Sequence, residues 1–488
     1  MIALLALLLA ADAGSAAVAP PAPVVELPAH MKKAPSIDAL PPLRLARPTT
    51  FKLRNGLQVV AVPRRVAPLV TMQLVVRSGA GDEPPALAGL AAATADMLDE
   101  GAGERGALEI ALGLEALGAE LELGATRDGS TLVLNVPAEG FPSALTQVGD
   151  VLLHPRFLPE DWTRVQNDRL TALVQRRDQP EAVANLVADR ALFGDAHPYG
   201  HPPAGYERTV RAISVLDLRR FYDQHWRPDN AALLVVGDYD AARLRAQLEQ
   251  ALGPWPRGKG PVPRAKATAP LPVGQRPRLV VVDKPGAPQT VLRLVGPGVA
   301  KRSPERPPLA ALATVLGGSF TSRLNFNLRE KNGYSYGAFA GFSFLRFPGA
   351  FVAQSSVFTK VTGAALGEAL KEIGAMGAAP VSDDELRKAR ALLQQRTAEE
   401  LSTTPGTATI YGELALYDLP LDEPARFLDS VRRAEPKTLQ RLGARVIDPA
   451  GLTVVAVGDL AVIGPMLREK GLPDPQRRDA DGEPLPPR

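Results

Sequence analysis

From about residue 50 the chain alternates between short apolar runs and longer stretches of helical period. FKLRNGLQVVAVP (51–63) sets two alternating runs around Asn55-Gly56, a turn pair that predicts a hairpin. LVTMQLVVRSG (69–79) is almost continuously apolar and predicts a buried strand. A helix follows through Met97, and another over 107–117. AELELGATRDGSTLVLNVP (119–137) alternates around Asp128-Gly129 and predicts a second hairpin. Helical periodicity returns at 143–153, 159–177, 179–193 and 216–225, and NAALLVVGDYD (230–240) is a buried strand.

PWPRGKGPVPRAKATAPLP (254–272) has no period and is dense in Pro, Gly and Lys, which marks a linker. Beyond it the first pattern repeats. RLVVVDKP and TVLRLVGPG read as strands, 308–316 as a helix, and YGAFAGFSF with GAFVAQSSV as a hairpin pair. Helices are predicted at 362–376 and 382–401, and GLTVVAVGDLA (451–461) closes the unit. ALLVVGDYD and LTVVAVGDLA each carry a Val-Gly-Asp end near the close of their half, a spacing of ~220 residues that signals a duplicated domain. The expected fold is α+β: two tandem homologous domains, 49–253 and 273–465, each a mostly antiparallel sheet packed by helices. The Pro/Asp/Arg-rich tail, 466–488, is expected to be disordered.

Composition narrows the function. The 488 residues are 45% hydrophobic and 22% charged, with a formal net charge of +3. Basic and acidic residues interleave and only 5% are aromatic, so no nucleic-acid stripe is read. The absence of cysteine excludes disulfides, thiolate zinc sites and cysteine nucleophiles. The apolar run 2–11, followed by Ala-x-Ala at 11–13 and 17–19, resembles a secretory signal peptide (1–19), although it lacks a basic first segment. A Pro/Ala-rich lead-in spans 20–48, and export to the periplasm is expected. No later segment is apolar enough to cross a membrane, and no phosphate loop or dinucleotide fingerprint follows a strand.

Six motifs in order then carry a resemblance: FKLRNGLQVV, LVVRSGAGDEP, GLAAATADMLDEGAG, HPYGHP, FYDQHWRPDNAALLVVGD and LGGSFTSRLNFNLREKNGYSYG. Together they resemble the pitrilysin/insulinase family of zinc metallopeptidases, which includes the mitochondrial processing peptidases. The resemblance spans 48–463. Active members carry His-x-x-Glu-His on the first helix, where two His on one helical face hold zinc and the Glu takes a proton from zinc-bound water. Here those five places fall on Ala92, Ala93, Thr94, Ala95 and Asp96. The third, acidic ligand would fall near Thr171 and Ala172. Asp96 alone cannot hold zinc, which takes three or four N, S or O ligands. The resemblance therefore implies a chain that binds no cofactor of its own.

The same resemblance implies that the second half contributes an Arg and a Tyr seven residues apart. Arg329 and Tyr336 have that spacing, with Gly333 between them. A guanidinium and a phenol both donate hydrogen bonds suited to a peptide carbonyl as it becomes an oxyanion. Gly317, Gly318 and Ser319 lack the Lys of a phosphate loop, and Pro198 and Gly200 keep His197 and His201 off a common helix. The expected function is that of a non-catalytic subunit. It would pair with a zinc-bearing paralogue, act on peptide substrates and lend Arg329 and Tyr336 to the partner's site. The alternatives are a structural or peptide-binding scaffold, and a self-sufficient metallopeptidase with relocated ligands.

Overall fold

The near-continuous apolar strands find their explanation in the way the two halves cover each other. The computed structural model describes Leu43, Leu45 and residues 47–266 and 269–486. The expected signal peptide and nearly all of the lead-in lie outside the described residues. In the first half β1 (Thr49–Lys52), β2 (Gln58–Pro63), β3 (Leu69–Val76), β4 (Glu120–Ala125), β5 (Ser130–Pro137) and β6 (Ala231–Gly237) form one sheet in the order β1-β2-β6-β3-β5-β4. Only β2 and β6 pair in parallel; the other pairs are antiparallel.

The second half repeats this plan with β7 (Leu279–Asp283), β8 (Gln289–Pro297), β9 (Ser335–Phe342), β10 (Ala350–Phe358), β11 (Thr453–Gly458) and β12 (Gln476–Arg478). Their order is β9-β10-β8-β11-β7-β12. Within the five strands shared with the first sheet the parallel pair is now β7 with β11, and β8 pairs antiparallel with both β10 and β11. Strands β2 to β6 thus match β7 to β11 one for one, and the expected duplicated α+β fold is the one observed. The sheets differ at one edge: β1 pairs antiparallel with β2, whereas β12 pairs in parallel with β7.

That last strand corrects the expectation of a disordered tail over 466–488. The helix Leu460–Glu469 runs into this segment, and β12 lies within it. The turn after β12 is fastened by arginines of the first half: Arg176 and Arg177 bind Asp481, and Arg190 binds Glu483. A composition without periodicity reads as disorder. Here its acids are held by partners 293 to 305 positions away in the chain.

One face of each sheet packs on its own helices, giving two large apolar cores. The other face is covered by a helix from the opposite half. Three helices of the first half are α1 (Leu90–Asp96), α2 (Pro159–Arg176) and α3 (Pro180–Phe193), and α3 lays Val183 and Val187 against Val280, Val291 and Val455 of the second sheet. Reciprocally, α4 (Thr404–Leu416) lays Ala408, Tyr411 and Leu414 on Val60, Val75 and Leu234 of the first. Strands covered on both faces lose the apolar/polar alternation of a half-exposed sheet. All seven residues of β6 are accordingly buried.

The halves are also joined by a buried polar knot. Asp128, 1% exposed, accepts hydrogen bonds from Tyr199 Oη at 2.6 Å, Tyr417 Oη at 3.1 Å and the Arg346 backbone N–H at 2.7 Å. The Arg346 guanidinium also binds Asp82 Oδ2 at 3.1 Å. The described residues of the 254–272 stretch, read as a linker, hold no helix or strand and are tied down along their length. Trp255 is buried, Arg257 Nε donates to Asn55 O at 2.6 Å, and Ala265 N–H donates to Asp82 Oδ1 at 2.9 Å.

Candidate functional site

Helix α1 carries the degenerate motif. Its entry residue, Gly89, has φ +102°, and a Cβ there would sit 2.9 Å from Ala204 O, so only glycine fits. Ala91, Ala93 and Ala95 are fully buried beneath the sheet and against the helix Val215–His225, while Ala92 is half-buried. Small side chains let this short helix lie close to its neighbours. Asp96, at its last turn, forms an ion pair with Arg169 of α2. Arg169 also reaches Ala204 O at 3.3 Å.

This pair borders a cleft of about 440 Å³ lined by Asp96, Glu100, Arg164, Arg169, Ala172 and Arg176. Ala172 brings no donor atom to it, and the Thr171 hydroxyl is turned to Asn167 O at 2.9 Å. The residues here do not fit a zinc ion. Two of the three motif places hold methyl groups, and the third holds a carboxylate already neutralised by a guanidinium. Among the described residues no three His, Asp or Glu side chains gather as a metal-binding group.

The sequence reading missed Glu83, in the GDEP segment ahead of α1. Its side chain is fully buried and accepts from the N–H groups of Gly89 and Ala91, both at 2.7 Å, so it caps the helix N-terminus. His201 Nε2 lies 3.7 Å from Glu83 Oε1. Burial outweighs the two backbone donors and pushes the Glu83 carboxyl up to about 8. The folded chain therefore holds a proton that the unfolded chain releases at ordinary carboxylate pH. The contribution of Glu83 to stability is greatest below the unfolded value of 4.5 and is lost as pH rises to about 8. Glu83→Gln is expected to flatten the fall in unfolding free energy between pH 5 and 8, read from urea titrations at each pH, even where it lowers the absolute stability. His197 is held in its turn: Nδ1 accepts from Tyr199 N–H at 2.9 Å, and the ring lies 4.7 Å from that of Phe193.

The second candidate region lies at the start of β9. Residues Phe326–Lys331 form a single π-helical turn containing Arg329. Gly333, with φ +62°, reverses the chain, and its N–H caps Arg329 O at 3.1 Å. Tyr334, packed against the second core, leads into β9, and Tyr336 is its second residue. The Arg329 side chain is 40% exposed, Tyr336 78%. The Arg329 guanidinium lies 4.6 Å from the centre of the Phe320 ring, and its Nε lies 3.3 Å from Glu330. Its terminal nitrogens and the Tyr336 hydroxyl have no protein hydrogen-bond partner among the described residues. The degenerate motif and the Arg/Tyr pair thus sit on different halves, the first neutralised and the second open to solvent.

Comparison with known proteins bears on the family and the fold. A family model described as insulinase (peptidase family M16) matches residues 59–193, and one described as the peptidase M16 inactive domain matches 212–393. An uncharacterized zinc protease of Mycobacterium bovis is 29% identical over 311 residues, 63% of this chain and 70% of its own. A protein described as a non-peptidase homolog, from Helicobacter pylori, is 24% identical over 201 residues, 41% of this chain and 46% of its own. Among solved structures, a peptidase M16 inactive domain from Pseudomonas fluorescens aligns with a TM-score of 0.76 at 22% identity, over 84% of this chain and 98% of that one. A chain of complex III from Candida albicans aligns with a TM-score of 0.72 at 15% identity, over 87% and 99%. These structural likenesses speak to the fold alone. With two matches to one peptidase family falling in order on two topologically equivalent sheets, the chain belongs to the M16 family of insulinase- and pitrilysin-like proteins.

Proposed function

We propose that this chain is the non-catalytic subunit of a two-chain M16 peptidase. A zinc-bearing paralogue would provide the metal, and Arg329 and Tyr336 would hold the carbonyl of a peptide substrate. The observation that carries this reading is a contrast. Arg169 occupies the only charged motif position, Asp96, while the terminal nitrogens of Arg329 and the Tyr336 hydroxyl have no hydrogen-bond partner among the described residues, although Arg329 Nε faces Glu330. The apolar leader at 2–11 supports export, so the pair would work in the periplasm.

The test is reconstitution. The chain alone, a zinc-bearing paralogue alone and the mixture are assayed for peptide hydrolysis and metal content. Hydrolysis is expected in the mixture, at least ~10-fold above the paralogue alone, with zinc on the paralogue only. Chelator-sensitive hydrolysis by this chain alone overturns the reading. A second reading, a scaffold without a role in cleavage, draws on the fold shared with a complex III chain and on the relative described as a non-peptidase homolog. It requires the paralogue to be equally active with and without this chain.

A further inference from the structure

Burial does not hold Arg329 in place, so the aim of its guanidinium depends on the turn that carries it. The side chain is 40% exposed and touches Phe320 and Glu330. The turn is π-helical: the Asn332 N–H donates to Asn327 O, five residues back, at 3.1 Å. Turns of this width are rare and are frequent at functional sites. Two buried asparagines tie it down, Asn325 just before it and Asn327 within it. Asn325 Nδ2 donates to Phe320 O at 2.6 Å, and Asn325 Oδ1 accepts from Ala338 N–H at 3.1 Å. The residue that stacks on Arg329 is thereby fixed to β9, the strand that carries Tyr336.

Asn327 fixes the turn to the helix Thr362–Ala378. Its Nδ2 donates to Glu368 Oε2 at 2.8 Å and to Glu372 Oε1 at 2.7 Å. Asn332 Nδ2 in turn donates to Asn327 Oδ1 at 2.7 Å and to Asn327 O at 2.9 Å. Ionised carboxylates only accept, so the amide has a single orientation, and both its hydrogens are used. Hydrogen bonds to a charged group are about twice as strong as neutral ones. The Asn327 bond accordingly holds the Glu368 carboxyl below its ordinary value. Glu368 and Glu372 lie one turn apart on one helix face, where like charges oppose each other. The cations nearby do not replace the amide. Lys371 lies 3.5 Å from Glu368, Lys331 acts on Glu368 from the turn itself, and Arg323 is bound to Glu385 at 2.6 Å. The helix gains nothing from two acids converging on one amide; the turn gains an anchor two residues before Arg329.

We infer that Asn327 is a positioning residue: clamped by Glu368 and Glu372, it fixes the π-helical turn and so sets the direction in which Arg329 presents its terminal nitrogens. This rests on the proposed carbonyl-holding role and adds the device that aims it.

The direct test uses the full chain alone, with para-fluorophenylalanine in place of Phe320. Its fluorine NMR resonance reports the guanidinium stacked on that ring, and Arg329→Ala gives the position of the unstacked ring. Asn327→Asp sets a third carboxylate against the two glutamates and is expected to move the resonance toward that position. Adding Glu368→Gln and Glu372→Gln exchanges donors and acceptors across the same contacts and should move it back. In the reconstituted pair, Asn327→Asp is expected to lower kcat by ~10²-fold with KM changed less than ~2-fold, the cost of a misplaced group. The exchanged network should restore kcat, and Asn327→Asp should add no loss to Arg329→Ala, since both act through one guanidinium. Thermal melts check the fold. Asn332→Ala, at a half-buried position, is the milder variant if Asn327→Asp does not fold, and it should move the resonance in the same direction. A resonance that stays in place in a folded Asn327 or Asn332 variant overturns the inference. So does a loss in kcat that adds fully to that of Arg329→Ala, as a merely structural role would produce. A resonance that moves as expected, with turnover of the pair indifferent to both Arg329→Ala and Asn327→Asp, keeps the positioning role and instead removes the carbonyl-holding reading.

Discussion

Arg329→Ala, introduced into the reconstituted pair, is expected to lower kcat/KM by ~10²–10³, the loss of one preorganised oxyanion donor. The size of the effect follows from the position of the side chain. One face of the guanidinium lies on Phe320, and its terminal nitrogens have no protein partner among the described residues, so they remain available to a carbonyl. With the side chain 40% exposed and its acidic neighbour Glu330 also solvated, the substitution should leave the melting temperature within a degree or two. Steady-state kinetics on the complex make the measurement, with gel filtration to establish that the pair still forms. Turnover unchanged within twofold, in an intact complex, assigns this chain to the scaffold reading.

The largest effect on stability is expected from Asp128→Ala. Asp128 looks like a turn residue in the pair Asp128-Gly129, where substitutions are normally mild. In the folded chain it is almost fully buried and holds two tyrosine hydroxyls and the backbone N–H of Arg346, all from beyond its own hairpin. Its removal leaves those donors buried without an acceptor and takes one of two carboxylates from beside the Arg346 guanidinium. Breaking a buried charged network of this kind costs ~3–5 kcal/mol. Urea denaturation should show a midpoint lowered in proportion. Because the knot joins the halves, the transition should also broaden as the two sheets begin to unfold separately. A loss under ~1 kcal/mol would mean that the knot contributes little to the joint.

Much of the fold was legible because its signals are local. The Asn55-Gly56 turn, the alternation through 119–137 and the apolar run of β3 each fix a backbone state within about ten residues. The repeat of Val-Gly-Asp signals the duplication independently of strand order. The stretch 402–450 carries no predicted element, yet it holds three helices. Two of them, Glu423–Arg433 and Pro436–Val446, are amphipathic and open with Pro, so their signal was present. The third, α4, was hidden for a physical reason. Its TPGTATIYGELAL sequence is rich in poor helix formers and reads as a loop. The helix forms because its apolar side chains cover the first sheet, and because Gly412 lets it approach Gln73, which a Cβ would meet at 3.0 Å.

The candidate site divides in the same way. The missing zinc ligands at Ala92, Ala95 and Asp96 are visible in the sequence, since a side chain without a donor atom cannot acquire one by folding. The spacing of Arg329 and Tyr336 around Gly333 is likewise a local fact. That Arg169 neutralises Asp96, that Glu83 caps α1 from six positions before Gly89, and that the Arg329 guanidinium lies on Phe320 could be decided only by the tertiary structure. So could the pinning of the tail and the exchange of covering helices between halves. Ion pairs, burial and shared faces depend on distances between residues far apart in the chain, and periodicity carries no information about those distances. The sequence by itself determined most of the elements, their duplication and the absence of metal-binding donors at the motif. Packing decided which charges met, which were buried and which were left facing solvent.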